Sequence, residues 1–405
     1  MRQLSLILLA ALTACTAKAP LLSEEVVSSE MARHQAASYI DGQEGNLKWN
    51  YTTGLELKAF LDVCEKAGQA GHDGLAGRAR HSRRDRESVL SYVDAWYDAI
   101  IDGEGRIYNY KKSNFSTDHI CPGRTLFQLF DITGKEKYRA AMDSLYSQLQ
   151  DQPRTREGGF WHKQVYPDQM WLDGLYMAQP FYAEYTRRFV TDSLQRERNY
   201  GDIVFQFTTV YNHTYDPETG LLRHAWDSSH QMFWCNPETG QSDHAWGRAL
   251  GWYCMALVDV AEILPDGPYK DALIGILNNL YQVLPLYADA ETGMWFQVLD
   301  QPYREGNYLE ATCSAMFTYA WLKGIRLGML RGREAAVQTY ESLLDTFVTR
   351  EDGLVSLNQC CEVAGLGGKE NRRGDYDYYI NERVRANDPK GIGPLIWAAL
   401  EYEKL

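Results

Sequence analysis

Apolar residues recur at three- to four-residue steps along most of this chain. Tyr92, Trp96 and Ile100 follow that step, as do Leu250, Tyr253, Cys254 and Leu257. This is the period of one face of an α-helix. Read segment by segment, it predicts about twelve helices, at 31–40, 54–68, 86–101, 119–131, 135–150, 168–188, 193–211, 245–263, 267–287, 310–328, 333–349 and 390–403. Long stretches of alternating apolar and polar residues are missing, which argues against a sandwich, a propeller or an α/β sheet.

The helical stretches are punctuated by a recurring turn: a glycine, an apolar or aromatic residue, then a short extended run. It occurs at Gly45-Asn46-Leu47, Gly105-Arg106-Ile107, Gly159-Phe160-Trp161, Gly220-Leu221-Leu222, Gly293-Met294-Trp295 and Gly353-Leu354-Val355. Six such turns roughly sixty residues apart predict six copies of one unit. Each interval has room for two helices, so the expected fold is all-α. It is an (α/α)6 barrel with short β hairpins in the rim loops, the last helix pairing with the first. An open solenoid is the alternative. Closure would bring all six glycine turns to one rim.

The N-terminus departs from this pattern. After Arg2, residues Leu4 to Leu12 form an apolar run too short to span a bilayer, ending in Leu12-Thr13-Ala14-Cys15. We read residues 1–14 as a lipoprotein signal peptide, Cys15 as the lipidated residue and 15–29 as a tether. Residues 30–405 are then a single catalytic domain. The protein is expected to be exported and lipid-anchored to the bacterial outer membrane or facing the periplasm, with membrane contact only through the lipid. A plain secretory signal is the alternative.

A net charge of −13 excludes a nucleic-acid partner. An anionic substrate would have to be met by a few local cations. No pattern in the chain specifies an oligomeric state. Of the remaining cysteines, Cys64, Cys254 and Cys313 read as small core residues, and adjacent Cys360-Cys361 are poorly placed to bridge each other.

The chain is rich in rings, with 27 Tyr and 11 Trp. Trp161, His162, Lys163, Trp171, Arg223, His224, Trp246, Arg248 and Trp252 follow the third and fourth glycine turns. Such a set suits a concave site for an anionic sugar. Asp118 precedes a predicted helix, where an N-cap role is the plainest explanation. Asp173 lies in the apolar start Trp171-Leu172-Asp173-Gly174-Leu175-Tyr176-Met177. Burial there disfavours a charged carboxyl and suits it to donate a proton. There is no nucleophile elbow, P-loop or dinucleotide fingerprint, and no His-Glu-x-x-His spacing for zinc. No metal and no cofactor is expected.

From about Trp49 onward the residues resemble family-105 glycoside hydrolases, the unsaturated rhamnogalacturonyl hydrolases. The matching stretches include Trp49-Asn50-Tyr51-Thr52-Thr53-Gly54, Asp118-His119-Ile120-Cys121-Pro122-Gly123-Arg124, Gly159-Phe160-Trp161-His162-Lys163, Gln169-Met170-Trp171-Leu172-Asp173-Gly174, Arg223-His224-Ala225-Trp226-Asp227 and Trp246-Gly247-Arg248. Ala249-Leu250 depart from the smaller or polar residues more usual before Gly251. The resemblance implies the same barrel and an oligosaccharide substrate ending in a 4,5-unsaturated uronic acid. It implies Asp173 as proton donor and then base, with Asp118 beside it. The implied pocket comprises Trp49, Thr53, His162, Lys163, Trp171, His224, Trp246, Arg248 and Trp252. Arg248 is the leading candidate to hold the substrate carboxylate, with His224 or Lys163 as substitutes, and a structural pairing of Arg248 with Asp173 as the competing role. Rival functions are an unsaturated glycosaminoglycan-disaccharide hydrolase, a sugar epimerase and a non-catalytic glycan-binding lipoprotein.

Overall fold

Helices that are apolar all round belong in the interior of a fold, and those with a single apolar stripe belong on its outside. The chain contains both kinds in strict alternation. The computed structural model describes residues 21–70 and 76–405, with side chains for 21–66 and 84–405. The expected signal peptide and the expected lipidation site, Cys15, lie outside the described residues. The interior helices are α2 (Tyr51–Ala70), α4 (Gly123–Thr133), α6 (Leu172–Phe189), α8 (Gly247–Ile263), α10 (Ala311–Arg326) and α13 (Pro389–Tyr402). In α8 every residue from Gly247 to Ala261 is buried, and in α10 every residue from Ala311 to Gly324. The outer helices are α1 (Leu22–Arg33), α3 (Ala76–Ile100), α5 (Glu136–Gln150), α7 (Ser193–Thr214), α9 (Pro268–Val283) and α11 (Arg333–Phe347). In α11 the buried residues are Ala336, Tyr340, Leu343 and Phe347, one stripe at helical spacing.

Each interior helix packs on the next around the ring, and α13 packs on α2 to close it. Outer helices α3, α5, α7, α9 and α11 each pack on the interior helix before them in sequence, while α1 packs on α13. The molecule is an (α/α)6 barrel. Every glycine turn lies between an outer helix and the next interior helix, so all six occupy the rim at the interior helices' N-termini.

Several sequence expectations shift in detail. Residues 22–29 are not tether but the first two turns of α1, with Val26 and Val27 buried. Only two adjacent valines mark this face, too weak a period to distinguish from linker. Helix 31–40 accordingly ends at Arg33, followed by a 3-10 turn over Ala37–Gly42. In the third turn the left-handed glycine is Gly158, with φ 101°, not Gly159. Gly159 is needed for space, because a Cβ there would meet Met170 Sδ at 2.1 Å. A five-residue helix, α12 (Tyr376–Ile380), was not expected.

Strands are confined to the rim: β1 (Gln169–Trp171) with β2 (Ala225–Asp227), β3 (Val348–Glu351) with β4 (Leu354–Leu357), and β5 (Cys360–Cys361) with β6 (Val384–Arg385), all antiparallel. All seven cysteines among the described residues are thiols, and Cys64, Cys254 and Cys313 are buried as expected. Among the described residues no helix is long and apolar enough to cross a membrane.

Candidate active site

Backbone pairing, not helix packing, brings the distant motifs together. Thr117 N–H donates to His162 O at 3.1 Å, and His162 N–H donates to Gln169 O at 2.8 Å. The β1–β2 pairing then sets Trp171 opposite Ala225. One residue further, Leu172 N–H donates to His224 O, and His224 N–H donates to His244 O, both at 3.1 Å. This belt runs along the rim and brings the segments carrying Asp118, His162, Asp173, His224 and Trp246 side by side.

Asp173 stands in the first turn of α6. Its Oδ2 lies 3.2 Å from His224 Nε2, yet the approach is off the line a hydrogen bond needs, and both buried atoms are without a hydrogen-bond partner. We therefore treat the contact as close but unformed, as catalytic hydrogen bonds often are before substrate aligns them. Among the described residues Asp173 Oδ1 accepts no hydrogen bond, and the side chain is 14 % exposed. His224 is fully buried, and its Nδ1 sits 2.7 Å from Tyr379 Oη.

Asp118 is held differently. Helix α4 begins only at Gly123, so Asp118 caps nothing; it lies in a 3-10 turn, Thr117–His119. Its Oδ2 is 2.5 Å from Lys163 Nζ and its Oδ1 is 3.5 Å from His162 Nε2. Burial pushes this carboxyl up, but Lys163 and then His162 outweigh it, so Asp118 is held below the usual carboxylate range. Burial lowers His162 to about 4, so its ring is neutral at pH 7. The ring stacks on Trp171, with centroids 4.6 Å apart and planes 9° apart. It also presses on the backbone of Gly174, where a Cβ would meet His162 Nδ1 at 3.0 Å. The glycine after Asp173 is therefore required by its neighbour.

The remaining expected pocket residues divide. Trp246 and Trp171 form walls beside His224, Trp246 donating to Gln297 Oε1 at 3.1 Å. Trp252 is behind them, packed on Tyr176 and Tyr51. Trp49 is core: it stacks on Trp96 and donates to His119 O at 2.8 Å, tying the Asp118 turn to α2. Thr53 is fully buried and accepts from Gln43 Nε2, while its own N–H is capped by Asn50 Oδ1. Arg248 also differs from expectation. Only 1 % exposed, its guanidinium donates to the carbonyls of Cys361 and Glu362 and to Glu310 Oε1. Its carboxylate partner is Glu310 rather than Asp173, and only Nε is left unpartnered.

Sequence reasoning missed Tyr51 and Tyr379. Burial first, and then Asp118, pushes the Tyr51 phenol well up, with Asp173 adding to the effect; Tyr51 therefore stays protonated between the two acids. It belongs to the Trp49–Gly54 stretch, where no local signal separates it from a core ring. A second wall forms where Tyr166, Met232, Trp234 and Leu366 pack against Trp171. Buried Asp227 organises the loop behind it by accepting from the backbone of Ser229, Gln231 and Met232. Among the described residues no group of three or more metal-ligating side chains is gathered.

The site thus presents one carboxyl with a free oxygen, one carboxylate locked by lysine, two imidazoles and aromatic walls, the apparatus of acid-assisted glycoside chemistry. Residues 22–405 match the model of Glycosyl Hydrolase Family 88.

The chain belongs to Glycosyl Hydrolase Family 88.

It is a glycoside hydrolase. The family-88 chain is 40 % identical to a family-105 glycoside hydrolase of C. acetobutylicum ATCC 824, whose structure superimposes with a TM-score of 0.85 over 95 % of this chain and all of that one. It is 38 % identical over 234 residues to the 24.9 kDa protein in the picA locus of Rhizobium radiobacter, covering 56 % of this chain and 97 % of that protein. It is also 29 % identical over 285 residues to the unsaturated rhamnogalacturonyl hydrolase YesR of Bacillus subtilis, covering 67 % of this chain and 73 % of that enzyme.

Proposed function

We propose that this family-88 enzyme removes the terminal 4,5-unsaturated uronic acid from lyase-generated oligosaccharides, of the unsaturated galacturonyl- or glucuronyl-rhamnose type. The observation that carries this is the inequality of the two carboxyls. Asp118 is held as an anion by Lys163, whereas the partly exposed Asp173 carboxyl has no hydrogen-bond partner among the described residues. A site with one available acid suits protonation of a vinyl ether better than the paired acid and nucleophile of ordinary glycosidases.

In this reaction Asp173 transfers its proton to C4, and positive charge develops at C5. Water adds at C5 and returns a proton to the Asp173 carboxylate. The hemiketal so formed opens to a 5-keto product, and the hemiacetal left at C1 expels the aglycone as an alcohol. Helices α6 and α8 start at Leu172 and Gly247, behind N-cap residues Trp171 and Trp246 that supply no side-chain cap, so their positive ends face the rim. They favour both an anionic sugar and the carboxylate that proton delivery leaves behind. The relative YesR supports a rhamnogalacturonan-derived substrate.

The test is to follow loss of the conjugated double-bond absorbance with lyase products of rhamnogalacturonan and of glycosaminoglycans. Turnover of the former is expected; turnover confined to the latter overturns the aglycone assignment, and absence of any turnover overturns the reaction.

The run Leu4–Leu12 ending at Cys15 supports export and lipid anchoring. Cys15→Ala should shift the protein from the membrane fraction to the soluble periplasmic or secreted fraction, because acyl chains contribute about 0.8 kcal/mol per buried CH₂. Unchanged fractionation counts against it.

A further inference from the structure

We infer that Tyr379 is a positioning residue that fixes the tautomer of His224 and so aims an N–H at Asp173, an inference that rests on the reaction proposed above. Tyr379 lies on α12, in the segment linking the fifth and sixth units, 155 residues from His224 in sequence. Three contacts immobilise it. Gln297 Nε2 donates to its carbonyl at 3.2 Å, Trp246 stacks on its ring at 5.8 Å with planes 24° apart, and Asp375 caps the short helix.

The tautomer follows from counting acceptors. The Tyr379 side chain is fully buried, and a buried hydroxyl must donate or lose the strength of a hydrogen bond. Burial pushes the phenol well up, so the proton stays on oxygen. Among the described residues the hydroxyl has one polar partner within reach, His224 Nδ1 at 2.7 Å. Nδ1 must therefore accept. The single proton of a neutral imidazole then resides on Nε2, the nitrogen 3.2 Å from Asp173 Oδ2.

The arrangement divides the labour of the Asp173 carboxyl. Oδ2 faces the imidazole N–H deep in the wall, and Oδ1, open to the cavity, carries the proton to be transferred. When that proton leaves for C4, the Nε2–H, 3.2 Å away and needing only a small realignment, can turn onto the new carboxylate, which then accepts a proton from the attacking water. With the opposite tautomer a lone pair on Nε2 would face the forming negative charge.

Two measurements on the full-length protein test this. The first reads the tautomer directly: nitrogen-15 NMR of histidine-labelled enzyme, with the His224 resonances assigned by their loss in His224→Gln. The expected pattern is a protonated Nε2 and an unprotonated Nδ1 near pH 7. An Nδ1-protonated or a doubly protonated ring overturns the assignment, whether or not any variant folds. The second compares Tyr379→Phe with wild type. The ring remains and the hydroxyl goes, so His224 should shift toward a mixture of tautomers. Turnover, kcat, should then fall about tenfold, on the scale of one buried hydrogen bond, while KM changes less than about threefold. Unaltered His224 resonances with wild-type kcat overturn the role. Because the NMR readout needs no turnover, failure of the proposed reaction and failure of this inference are separable.

Discussion

Asp173 and Asp259 stand on neighbouring interior helices, α6 and α8, at opposite ends of the barrel. Asp259, near the C-terminus of α8, is saturated. Its carboxylate receives Lys323 Nζ at 2.7 Å, Arg124 Nη2 at 2.7 Å and Tyr319 Oη at 2.6 Å. Burial alone would push its carboxyl up, but Lys323 and then Arg124 overwhelm that and hold it far below the usual range. Asp173, near the N-terminus of α6, has one neighbouring imidazole and no formed hydrogen bond. The far end spends its polar groups on each other and is a clamp. The rim leaves one carboxyl unspent, and an unspent buried acid is what substrate can use.

The sharpest test of this contrast is Asp173→Asn, which should retain fold and binding while kcat falls by roughly 10²–10⁴, the usual contribution of general acid–base catalysis. A variant keeping a tenth of wild-type rate would remove Asp173 as the acid. Asp259→Asn should do the reverse. It leaves Lys323 and Arg124 uncompensated and should lose about 3–5 kcal/mol of stability, with near-normal kcat for the molecules that remain folded. The pH dependence has a definite sign. Because its folded pKa is depressed, Asp259 contributes stability above the unfolded-state value of about 4 and loses it as pH falls towards the folded value. Wild type should therefore lose more of its stability than Asp259→Asn on acidification below about pH 4, and parallel melting curves would contradict this.

Arg248 is the intermediate case, a rim residue that is nonetheless almost fully engaged by protein. Arg248→Lys cannot reproduce its fork to Glu310 and the Cys361 and Glu362 carbonyls, so we expect a loss of about 1–3 kcal/mol in unfolding experiments. The kinetics of the folded enzyme should change less. A ten- to thousandfold fall in kcat/KM at unchanged Tm, roughly the cost of a lost charge-assisted pair with misalignment, would restore its role as carboxylate clamp.

Glu56 probes the rule from the other side. It is buried on α2, and among the described residues both carboxyl oxygens are without a hydrogen-bond partner. Burial, then Glu30, Asp41 and Asp388, push its carboxyl well up, with Arg33 opposing. A raised folded pKa means its stability contribution is intact below the unfolded value of about 4.3 and lost as pH rises. Glu56→Gln should leave kcat unchanged and gain a few degrees in Tm at pH 8, on the order of 1 kcal/mol, with little gain at pH 4. Abolished turnover would show that Glu56 belongs to the machinery.

The ring was legible in the sequence because interior and outer helices advertise burial through local periodicity, and because the glycine turns repeat. Asp173 was legible because a lone carboxylate interrupts an apolar helix start. Pairings across the rim were not. His224 meets Tyr379 across two of the six units, and nothing near Tyr376–Tyr379 distinguishes a positioning phenol from a packed one. The motif containing Trp49 and Thr53 pointed to the right turn of chain but not to which side chains face inward. Local spacing cannot separate a ring that lines a cavity from one that supports the lining. The Arg248 environment was hidden for a related reason: its carboxylate partner, Glu310, stands 62 residues away.

The packing of α1 on α13 has a kinetic corollary. A closed ring of sequential helix pairs can grow by local steps, but its final seam joins the two ends of the chain and costs the loop-closure entropy of nearly the whole polypeptide. The candidate site groups are drawn from residues between Tyr51 and Tyr379, so most of the ring must be present before they meet. A nascent chain that lacks its last helix would expose the apolar sides of α2 and α10 to aggregation. Substitutions that loosen Val26 or Val27 should therefore slow acquisition of activity during refolding more than they lower the activity finally reached.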